Sequence, residues 1–263
     1  MKFTDQLNRT IQIHEPPTRI ISLVPSLTEL VCDLGLKSSL VGVTKFCVHP
    51  NNIRNTATVV GGTKHVHFDK IHKLNPEIIL CNKEENTQEI IQELEQMAPV
   101  HISDINTIDD CLGIISMYGE IFQINQEAES ICCNIRKEQS QFESFVSNQP
   151  KHSVVYFIWK DPWMAVGNNT FIDYMLNLNG FTNHFENQSR YPEIDLNIIY
   201  PEVDLVLLSS EPYPFQKEHF KFLQPHFPNA KIQLVDGEMF SWYGSRLIKA
   251  FKYFKTLHRD ILI

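Results

Sequence analysis

The residues best suited to chemistry in this sequence are large aromatic side chains that stand in predicted loops. Trp159, Trp163 and Trp242 are the three tryptophans, and each follows a run of residues with the pattern of a β-strand. An aromatic ring in a loop is poorly placed for a hydrophobic core and well placed to stack on a ligand. Binding pockets are mostly apolar with a few polar groups, so this pattern predicts a site for a bulky, flat, partly polar small molecule.

Charged and phenolic residues stand in the same loops. Ligands of open parallel sheets bind beyond the carboxyl ends of the strands, so these loops supply the candidate ligand-binding residues. The predicted set consists of Phe46, Lys64, Lys83, Glu84, Trp159, Trp163, Arg190, Tyr191, Glu211, Tyr213, Trp242 and Tyr243. No residue is predicted to be catalytic.

Two histidines leave metal binding open as a second chemistry. His65 and His67 are two residues apart, so on an extended segment they face the same side. A zinc or manganese site would also need a third histidine and a carboxylate from other loops. The available partners are His49, His184 and Glu211. Exposed loop histidines are the more ordinary interpretation, and a His-dependent metal-binding protein or enzyme stays an alternative.

The sequence lacks the common signatures of catalytic and nucleotide-binding sites. It contains no G-x-G-x-x-G, no G-x-x-x-x-G-K-[ST], no G-x-S-x-G and no H-E-x-x-H. With 23 Lys and Arg against 31 Asp and Glu, the formal charge is -8, whereas a nucleic-acid partner needs a basic face. These observations favour a binding protein over an enzyme and argue against nucleic acid as a partner.

The elements that must position these loops alternate between strands and helices. In residues 1–106 the β-branched runs predict strands at 19–23, 39–43, 77–81 and 100–102. Ser26 with Glu29, and Asn86 with Glu89, have the spacing of capping boxes and predict the starts of two helices. Strand and helix alternation of this kind predicts a parallel sheet with right-handed crossovers.

The middle of the chain has a different pattern. Residues 107–149 contain no strand-like run, and their apolar positions recur at helical spacing, which predicts two helices with a break near Asn125. Strands are expected again at 153–158, 204–208 and 231–235, with helices at 170–178 and 245–257. The predicted fold is therefore α/β, with an N-terminal lobe at 1–106, a helical linker at 107–149 and a C-terminal lobe at 150–263.

The same sequence gives an expectation about cellular location. No stretch approaches 18 consecutive apolar residues, and residues 1–15 lack the apolar region of a signal peptide. The six cysteines form no C-x-x-C pair, which suits a reducing compartment. The chain as it stands is expected in the cytoplasm, or in the periplasm if it was trimmed from a longer precursor.

Several ordered segments resemble a known family. FTDQLNRTIQIHEPP, followed by RIISLVPSLTELVCDLGL, is similar to the opening of class III substrate-binding proteins, also called helical-backbone metal receptors. VGVTKFCVHP, GGTKHVHFDKIHKLNPEIIL, WMAVGNNTFIDYMLNLNG and DGEMFSWYGSRLIKAF look most like the cobalamin-binding branch. The resemblance extends from Phe3 to about Phe254.

The resemblance implies a fold and a function. Two Rossmann-like lobes with parallel sheets, joined by one long backbone helix, are expected to hold the ligand in the cleft between them. The implied function is the substrate-binding component of an ABC importer for a chelated metal cofactor, with cobalamin or another corrinoid as ligand and no intrinsic cofactor. The implied partners are this small-molecule chelate and an ABC permease, and the protein is expected to be a monomer.

The resemblance also assigns roles to single residues. The aromatic contacts to a corrin ring correspond to Phe46, to Trp159 or Trp163, and to Trp242. Asp69 stands at one of the two acidic positions that dock such proteins on a permease. Ser241 occupies the second position, which departs from the family pattern.

A ferric siderophore or haem is the alternative ligand within the same class. Such a ligand needs cationic or phenolic groups in its site, and Lys64, Lys83 and Arg190 are the candidates.

Overall fold

A computed structural model describes residues 1–261 and divides the chain into two compact α/β units. Unit 1 comprises Met1–Ile135 and Tyr243–Arg246, and unit 2 comprises Arg136–Trp242 and the chain from Leu247 onward. The predicted domain limits at 1–106, 107–149 and 150–263 follow the order of the sequence, whereas the two compact units are defined by contacts. The predicted limits stay a prediction.

Unit 1 contains a five-stranded parallel sheet and a separate hairpin. The hairpin strands are β1, Lys2–Thr4, and β2, Thr10–Gln12, which pair antiparallel. The strands of the sheet are β3 (Ile20–Ser22), β4 (Leu40–Val43), β5 (Thr58–Val59), β6 (Ile78–Asn82) and β7 (Val100–Ser103). Their spatial order is β5-β4-β3-β6-β7. The central strands β3 and β6 are buried throughout, as expected for a parallel sheet covered on both faces.

The helices of unit 1 lie between these strands. They are α1 (Pro25–Val31), α2 (Ile53–Thr56), α3 (Phe68–Lys73), α4 (Gln88–Leu94) and α5 (Ile108–Phe122). After α1 the chain continues through a π-helical turn at Cys32–Leu36, where Gly35 has a φ of 83° and ends the predicted helix.

Both predicted capping boxes are wrong in detail. Helix α1 begins at Pro25, with Val24 at the N-cap, so Ser26 lies inside the first turn; proline suits that turn because its missing N–H would have no intrahelical partner. Helix α4 is capped by Thr87, whose side chain accepts from Ile90 N. Asn86 is one residue too early because its side chain is already hydrogen-bonded to other backbone groups.

The predicted pair of helices in the middle of the chain is confirmed. Helix α5 begins at a capping box formed by Thr107 and Asp110 and ends at Gln123, which has left-handed backbone angles. Helix α6 follows as one continuous run of 22 residues, Asn125–Val146. The boundary between the two units falls inside α6, after Ile135, so this helix runs from one unit into the other.

Unit 2 repeats the α/β arrangement. Its sheet contains β8 (Ser153–Trp159), β9 (Met164–Ala165), β10 (Thr182–Asn183), β11 (Leu205–Ser209) and β12 (Lys231–Val235). The order is β10-β8-β11-β12 with parallel pairing, and β9 folds back antiparallel on β8. Its further helices are α7 (Phe171–Leu178), α8 (Glu218–Leu223), α9 (Gly237–Ser241) and α10 (Leu247–Ile261). The predicted α/β class, with two lobes joined by a long helix, is confirmed.

The turn of the β1–β2 hairpin covers the outer edge of the unit 1 sheet. Asp5 accepts from Ile102 N at 3.3 Å, Gln6 accepts from Asp104 N at 2.9 Å, and Arg9 donates to Val100 O at 2.7 Å. Side chains of the turn thus satisfy backbone groups of β7 and of the residue after it, along the outer side of an edge strand that would otherwise stay unpaired.

Within residues 1–261, none of the helices combines the length and the apolar character that a membrane crossing requires.

Candidate functional site: the carboxyl ends of the two sheets

The first candidate surface lies at the carboxyl end of the unit 1 sheet, and its loops are fixed by Asn82. The side-chain amide of Asn82 donates to Ser103 O at 3.1 Å and to Ser103 Oγ at 3.0 Å. Its Oδ1 accepts from the backbone N–H groups of Glu84 at 2.8 Å and of Glu85 at 3.3 Å. The last residue of β6 therefore shapes the loop that carries the predicted Glu84. We call residues 44–47, 61–67 and 83–86 the first carboxyl edge.

Two further contacts join the loops of this edge. Asn86 accepts from Asn82 N at 2.9 Å and donates from its amide to Thr63 O at 2.9 Å. Lys64 donates from its ammonium group to the carbonyl oxygen of Glu84. The charge of Lys64 is thereby directed at a neighbouring loop.

Phe46 is the most open aromatic ring of this edge. It is 50% exposed, and the Nζ of Lys45 lies 4.9 Å from its ring centroid. Its backbone is held by a hydrogen bond from Phe46 N to Thr44 Oγ1 at 3.2 Å. The structure thus places Phe46 where the sequence predicted it, with its ring available for stacking.

Two charged residues of this edge do not match the sequence-based prediction: Lys83 is ion-paired, and Glu85 was not among the predicted residues. Lys83 forms an ion pair with Asp104 at 2.7 Å, so its charge is partly compensated. Glu85 was not predicted, yet its side chain is hydrogen-bonded to Thr63, and burial raises its pKa although Lys64 opposes the shift. The only available signal was its place three residues after Asn82, the polar residue that ends β6.

The second candidate surface lies at the carboxyl end of the unit 2 sheet. Trp159, the last residue of β8, is 39% exposed. Its ring meets that of Tyr213 edge-on, with centroids 5.8 Å apart and an interplanar angle of 75°. We call residues 159–163, 210–215 and 236–242 the second carboxyl edge; Trp159 and Tyr213 are its partly open rings.

Trp163 is buried, although a loop position led us to expect an open ring, and its role in ligand binding stays a prediction. It is only 9% exposed and belongs to the hydrophobic core of unit 2. Its ring is stacked on those of Phe215 and Phe222, at 5.7 Å and 5.4 Å between centroids. Because β9 folds back along β8, the residue before β9 lies over the core and not at the open end of the sheet.

Glu211 is the most strongly held polar group of the second carboxyl edge. Its Oε1 accepts from Ser241 Oγ at 2.8 Å and from the indole Nε1 of Trp242 at 2.8 Å. Burial raises the pKa of Glu211, and the two hydrogen bonds oppose that shift. Ser241, which occupies the second predicted docking position, is therefore engaged in positioning a carboxylate.

Trp242 and Tyr243 are buried, whereas the sequence led us to expect open rings; their role in ligand binding stays a prediction. Trp242 is 7% exposed and directs its N–H at Glu211. Tyr243 is also buried, in unit 1; burial raises the pKa of its phenol, and the nearby Ser103 and Ser26 oppose that shift.

The segment that follows Trp242 is held in unit 1 by polar contacts. Gly244 donates its N–H to Cys111 Sγ at 3.0 Å. Arg246 donates from Nε to Glu29 Oε2 at 2.7 Å, and both side chains are buried. These contacts make Tyr243–Arg246 a part of unit 1 although the flanking residues belong to unit 2.

Arg190 and Tyr191 lie along the side of the unit 2 sheet. Their segment runs beside β9, with Ala165 N donating to Pro192 O at 3.1 Å. The guanidinium carbon of Arg190 lies 5.5 Å from the centroid of Tyr191. This pair is therefore placed next to β9 and not directly after a strand end.

Asp69 is exposed in the first turn of α3, where a carboxylate complements the positive end of the helix dipole. Its docking role stays a prediction.

The alternative metal site is not assembled. His65 and His67 are exposed, and residues 1–261 contain no group of three or more His, Cys, Asp or Glu side chains arranged to hold a metal ion. His184, a proposed third ligand, instead lies 3.4 Å from Glu202.

Comparison with known proteins identifies the family. A model of the family described as periplasmic binding protein matches residues 20–224. The chain belongs to the periplasmic binding protein family. An ABC transporter substrate-binding lipoprotein of Bacillus subtilis, YvrC, is 25% identical over 182 residues, which are 66% of this chain and 57% of that protein. A vitamin B12-binding protein of Vibrio parahaemolyticus is 21% identical over 199 residues, 75% of this chain and 72% of that protein.

Several solved structures have the same fold. The vitamin B12-binding protein BtuF of Vibrio cholerae superposes with a TM-score of 0.80 at 17% identity, covering 94% of this chain and 98% of that one. The haem-binding protein HutB of Vibrio cholerae gives 0.76 at 20% identity, covering 91% and 98%. The siderophore-binding protein BauB gives 0.80 at 15% identity, covering 98% of both. The predicted resemblance to class III substrate-binding proteins is confirmed.

Proposed function

We propose that this protein is the substrate-binding component of an ABC importer and that its ligand is a chelated metal cofactor, in the first place a corrinoid. The proposal rests on the open aromatic rings, Phe46 at the first carboxyl edge and Trp159 at the second. Such rings stack on flat, largely apolar ligands. The vitamin B12-binding relatives favour a corrin as that ligand. The role is one of binding, without a catalytic step.

Haem or a ferric siderophore is the second candidate ligand, favoured by the names of two structural neighbours. Anionic chelates of this kind would need free cationic groups. Lys64 is directed at the carbonyl of Glu84, and Lys83 is paired with Asp104. Because both lysines already contact other groups of the protein, they are less available to an anionic ligand. This favours the corrinoid over haem or a siderophore.

A binding assay separates the candidates. Purified protein is incubated with cobinamide, cyanocobalamin, haem or a ferric siderophore, then desalted, and its visible absorbance is recorded. Retention of corrinoid absorbance at one equivalent supports the proposal. Retention of haem or siderophore alone assigns the second candidate, and retention of none contradicts both.

Variants in each carboxyl edge then test the aromatic contacts separately. Phe46→Ala and Trp159→Ala are each expected to weaken corrinoid binding about 10-fold, a typical cost for an aromatic contact at a binding surface. Ile199→Ala is the matched control, because Ile199 is 60% exposed and lies outside both edges. Equal affinities for all three variants would show that neither ring takes part.

The partner and the location belong to the same proposal. The relatives are named as lipoprotein or periplasmic binding proteins, which favours a place outside the inner membrane and an ABC permease as partner. Asp69 is the proposed docking residue, and the protein is proposed to act as a monomer. Asp69→Lys is expected to abolish ligand-stimulated ATPase activity of the reconstituted permease while ligand binding in solution is unchanged. Fractionation of the native cells tests the location.

A further inference from the structure

The side chain and the backbone of Glu211 are both fixed by hydrogen bonds. Its Oε1 accepts from both Ser241 and Trp242 at 2.8 Å. The backbone of the same residue is fixed by Ser209, whose Oγ accepts from Glu211 N at 3.3 Å and from the phenol of Tyr156 at 3.1 Å. Together these contacts leave the carboxylate little freedom to rotate.

Gly237 closes the remaining space around this carboxylate. A Cβ atom at residue 237 would lie 2.3 Å from Ser209 Oγ and 2.7 Å from Glu211 Cγ. The first residue of α9 therefore has to be glycine for the Glu211 side chain to pack against its backbone. The side chain of Glu211 is enclosed on this side and partly open on the other.

The second oxygen of this carboxylate is available. Within residues 1–261, Oε2 accepts no hydrogen bond, and the atom is not fully buried. It therefore reaches solvent. A carboxylate oxygen has room for two donors, so a fixed acceptor faces outward at the second carboxyl edge, on the strand end next to the Trp159–Tyr213 ring pair.

The surroundings of this acceptor are acidic. Glu238 and Asp236 both act electrostatically on Glu211 and raise its pKa, after burial as the main cause. A ligand group placed here meets negative charge, so N–H donors are favoured, and a ligand carboxylate is disfavoured because like charges repel.

We propose that Glu211 is a specificity-determining residue, whose Oε2 accepts a hydrogen bond from a neutral carboxamide on the ligand and rejects a carboxylate at the same position. This inference rests on the proposed corrinoid function. Corrinoids carry carboxamide groups around the ring, whereas haem carries two propionates. One fixed acceptor thus distinguishes chelates that have the same flat shape.

The test uses corrinoids that differ by one functional group. Cyanocobalamin is compared with its separated monocarboxylic acids, in which a single peripheral carboxamide is hydrolysed to a carboxylate. The unchanged protein is expected to bind at least one of these acids about 10-fold more weakly than cyanocobalamin, the scale of one hydrogen bond to a charged group. Glu211→Gln, which keeps an acceptor for Ser241 and Trp242, is expected to reduce that discrimination to about 2-fold.

Glu238→Gln is the matched control, because it removes a nearby charge without removing the fixed acceptor. It should keep the discrimination of the unchanged protein. If Glu211→Gln does not fold, Ser241→Ala is used instead, because it removes one of the two donors that hold the carboxylate. The affinity for cyanocobalamin is then expected to fall about 3-fold. Unchanged affinity in Ser241→Ala would contradict the assignment.

The possible failures are distinguishable. If the unchanged protein binds cyanocobalamin and Glu211→Gln keeps its discrimination against every acid, the assignment of Glu211 is overturned and the proposed function stands. An equal loss of discrimination in Glu211→Gln and Glu238→Gln also overturns the assignment of Glu211, because the effect then comes from net charge. If no corrinoid binds, the proposed function fails and this inference fails with it.

Discussion

Arg246 Nε lies 2.7 Å from Glu29 Oε2, and both side chains are only 5% exposed. The two residues are separated by 217 positions in the chain, so the pair fastens the Tyr243–Arg246 segment to helix α1 within unit 1. A buried pair of this kind depends on both partners, because removing one leaves the other charge buried without compensation.

The first prediction follows from this pair. Arg246→Met is expected to lower the free energy of unfolding by about 3–5 kcal/mol, as measured by urea denaturation. Adding Glu29→Gln should recover part of that loss, since the buried carboxylate charge that has lost Arg246 is removed. Lys83→Met breaks the exposed pair with Asp104 and should cost less than about 1 kcal/mol. A loss in Arg246→Met no larger than this control would contradict the prediction.

The second prediction concerns Trp242. Its indole N–H is one of two donors to Glu211, so Trp242→Phe is expected to cost about 1–3 kcal/mol of unfolding free energy. Trp242→Ala should cost more, about 3–5 kcal/mol, because it also removes a buried ring. Thermal and urea unfolding measure both. The sequence alone predicted an effect mainly on ligand binding; a stable Trp242→Ala with weakened binding would restore that interpretation.

The third prediction compares two glycines. Gly237→Ala is expected to destabilise unit 2 and to disturb the Glu211 contacts, because the new Cβ would lie 2.3 Å from Ser209 Oγ. Gly113 in helix α5 has no atom within 4 Å of such a Cβ. Gly113→Ala should therefore stabilise the protein by about 0.5–1 kcal/mol, the difference in helix propensity. Differential scanning calorimetry of the two variants is expected to show melting temperatures shifted in opposite directions.

The fourth prediction is a pH dependence centred on His258. Burial lowers the pKa of His258 from its ordinary 6.5 to about 4, and His152 adds to the shift. Between these pH values the unfolded chain binds the extra proton and the folded chain does not, so stability falls as the pH decreases from 6.5 towards 4. The full effect is roughly 3 kcal/mol.

The variant His258→Phe isolates this contribution. His258 packs among the rings of Phe142, Phe145 and Phe181, so a phenyl ring keeps the packing and removes the titrating group. Urea midpoints measured at pH 7 and pH 5 should differ less in this variant than in the unchanged protein. His65→Gln, at an exposed position, should leave the difference as it was. Parallel pH profiles for His258→Phe and the unchanged protein would exclude the histidine as the cause.

The strands and long helices could be predicted because their signals are local. Runs such as Ile78–Asn82 and Leu205–Ser209 are mostly apolar and buried throughout, and the apolar spacing after Asn125 suits one long helix. The hairpin strands β1 and β2 were missed because each has three residues with only the central one apolar, whereas the equally short β3 is buried throughout and follows an apolar pattern. Strands of that length carry too few side chains to establish an alternating pattern.

The candidate site was less predictable, because its contacts join distant residues. Glu211 meets Ser241 and Trp242, which lie 30 and 31 positions further along the chain. Loop position suggested open rings at both Trp159 and Trp163, yet only Trp159 is substantially exposed. Whether a loop turns its side chain outward or back over the core depends on the path of the next segment, as β9 shows for Trp163.

The hairpin turn at Asp5, Gln6 and Arg9 has a consequence for handling the protein. These side chains occupy backbone groups along the outer side of β7, and an unpaired strand edge is a template for aggregation. Deleting residues 1–12 would uncover that edge and is expected to produce oligomers or insoluble material on expression. An affinity tag that replaces the opening residues would have the same effect, so the hairpin protects the protein against self-association.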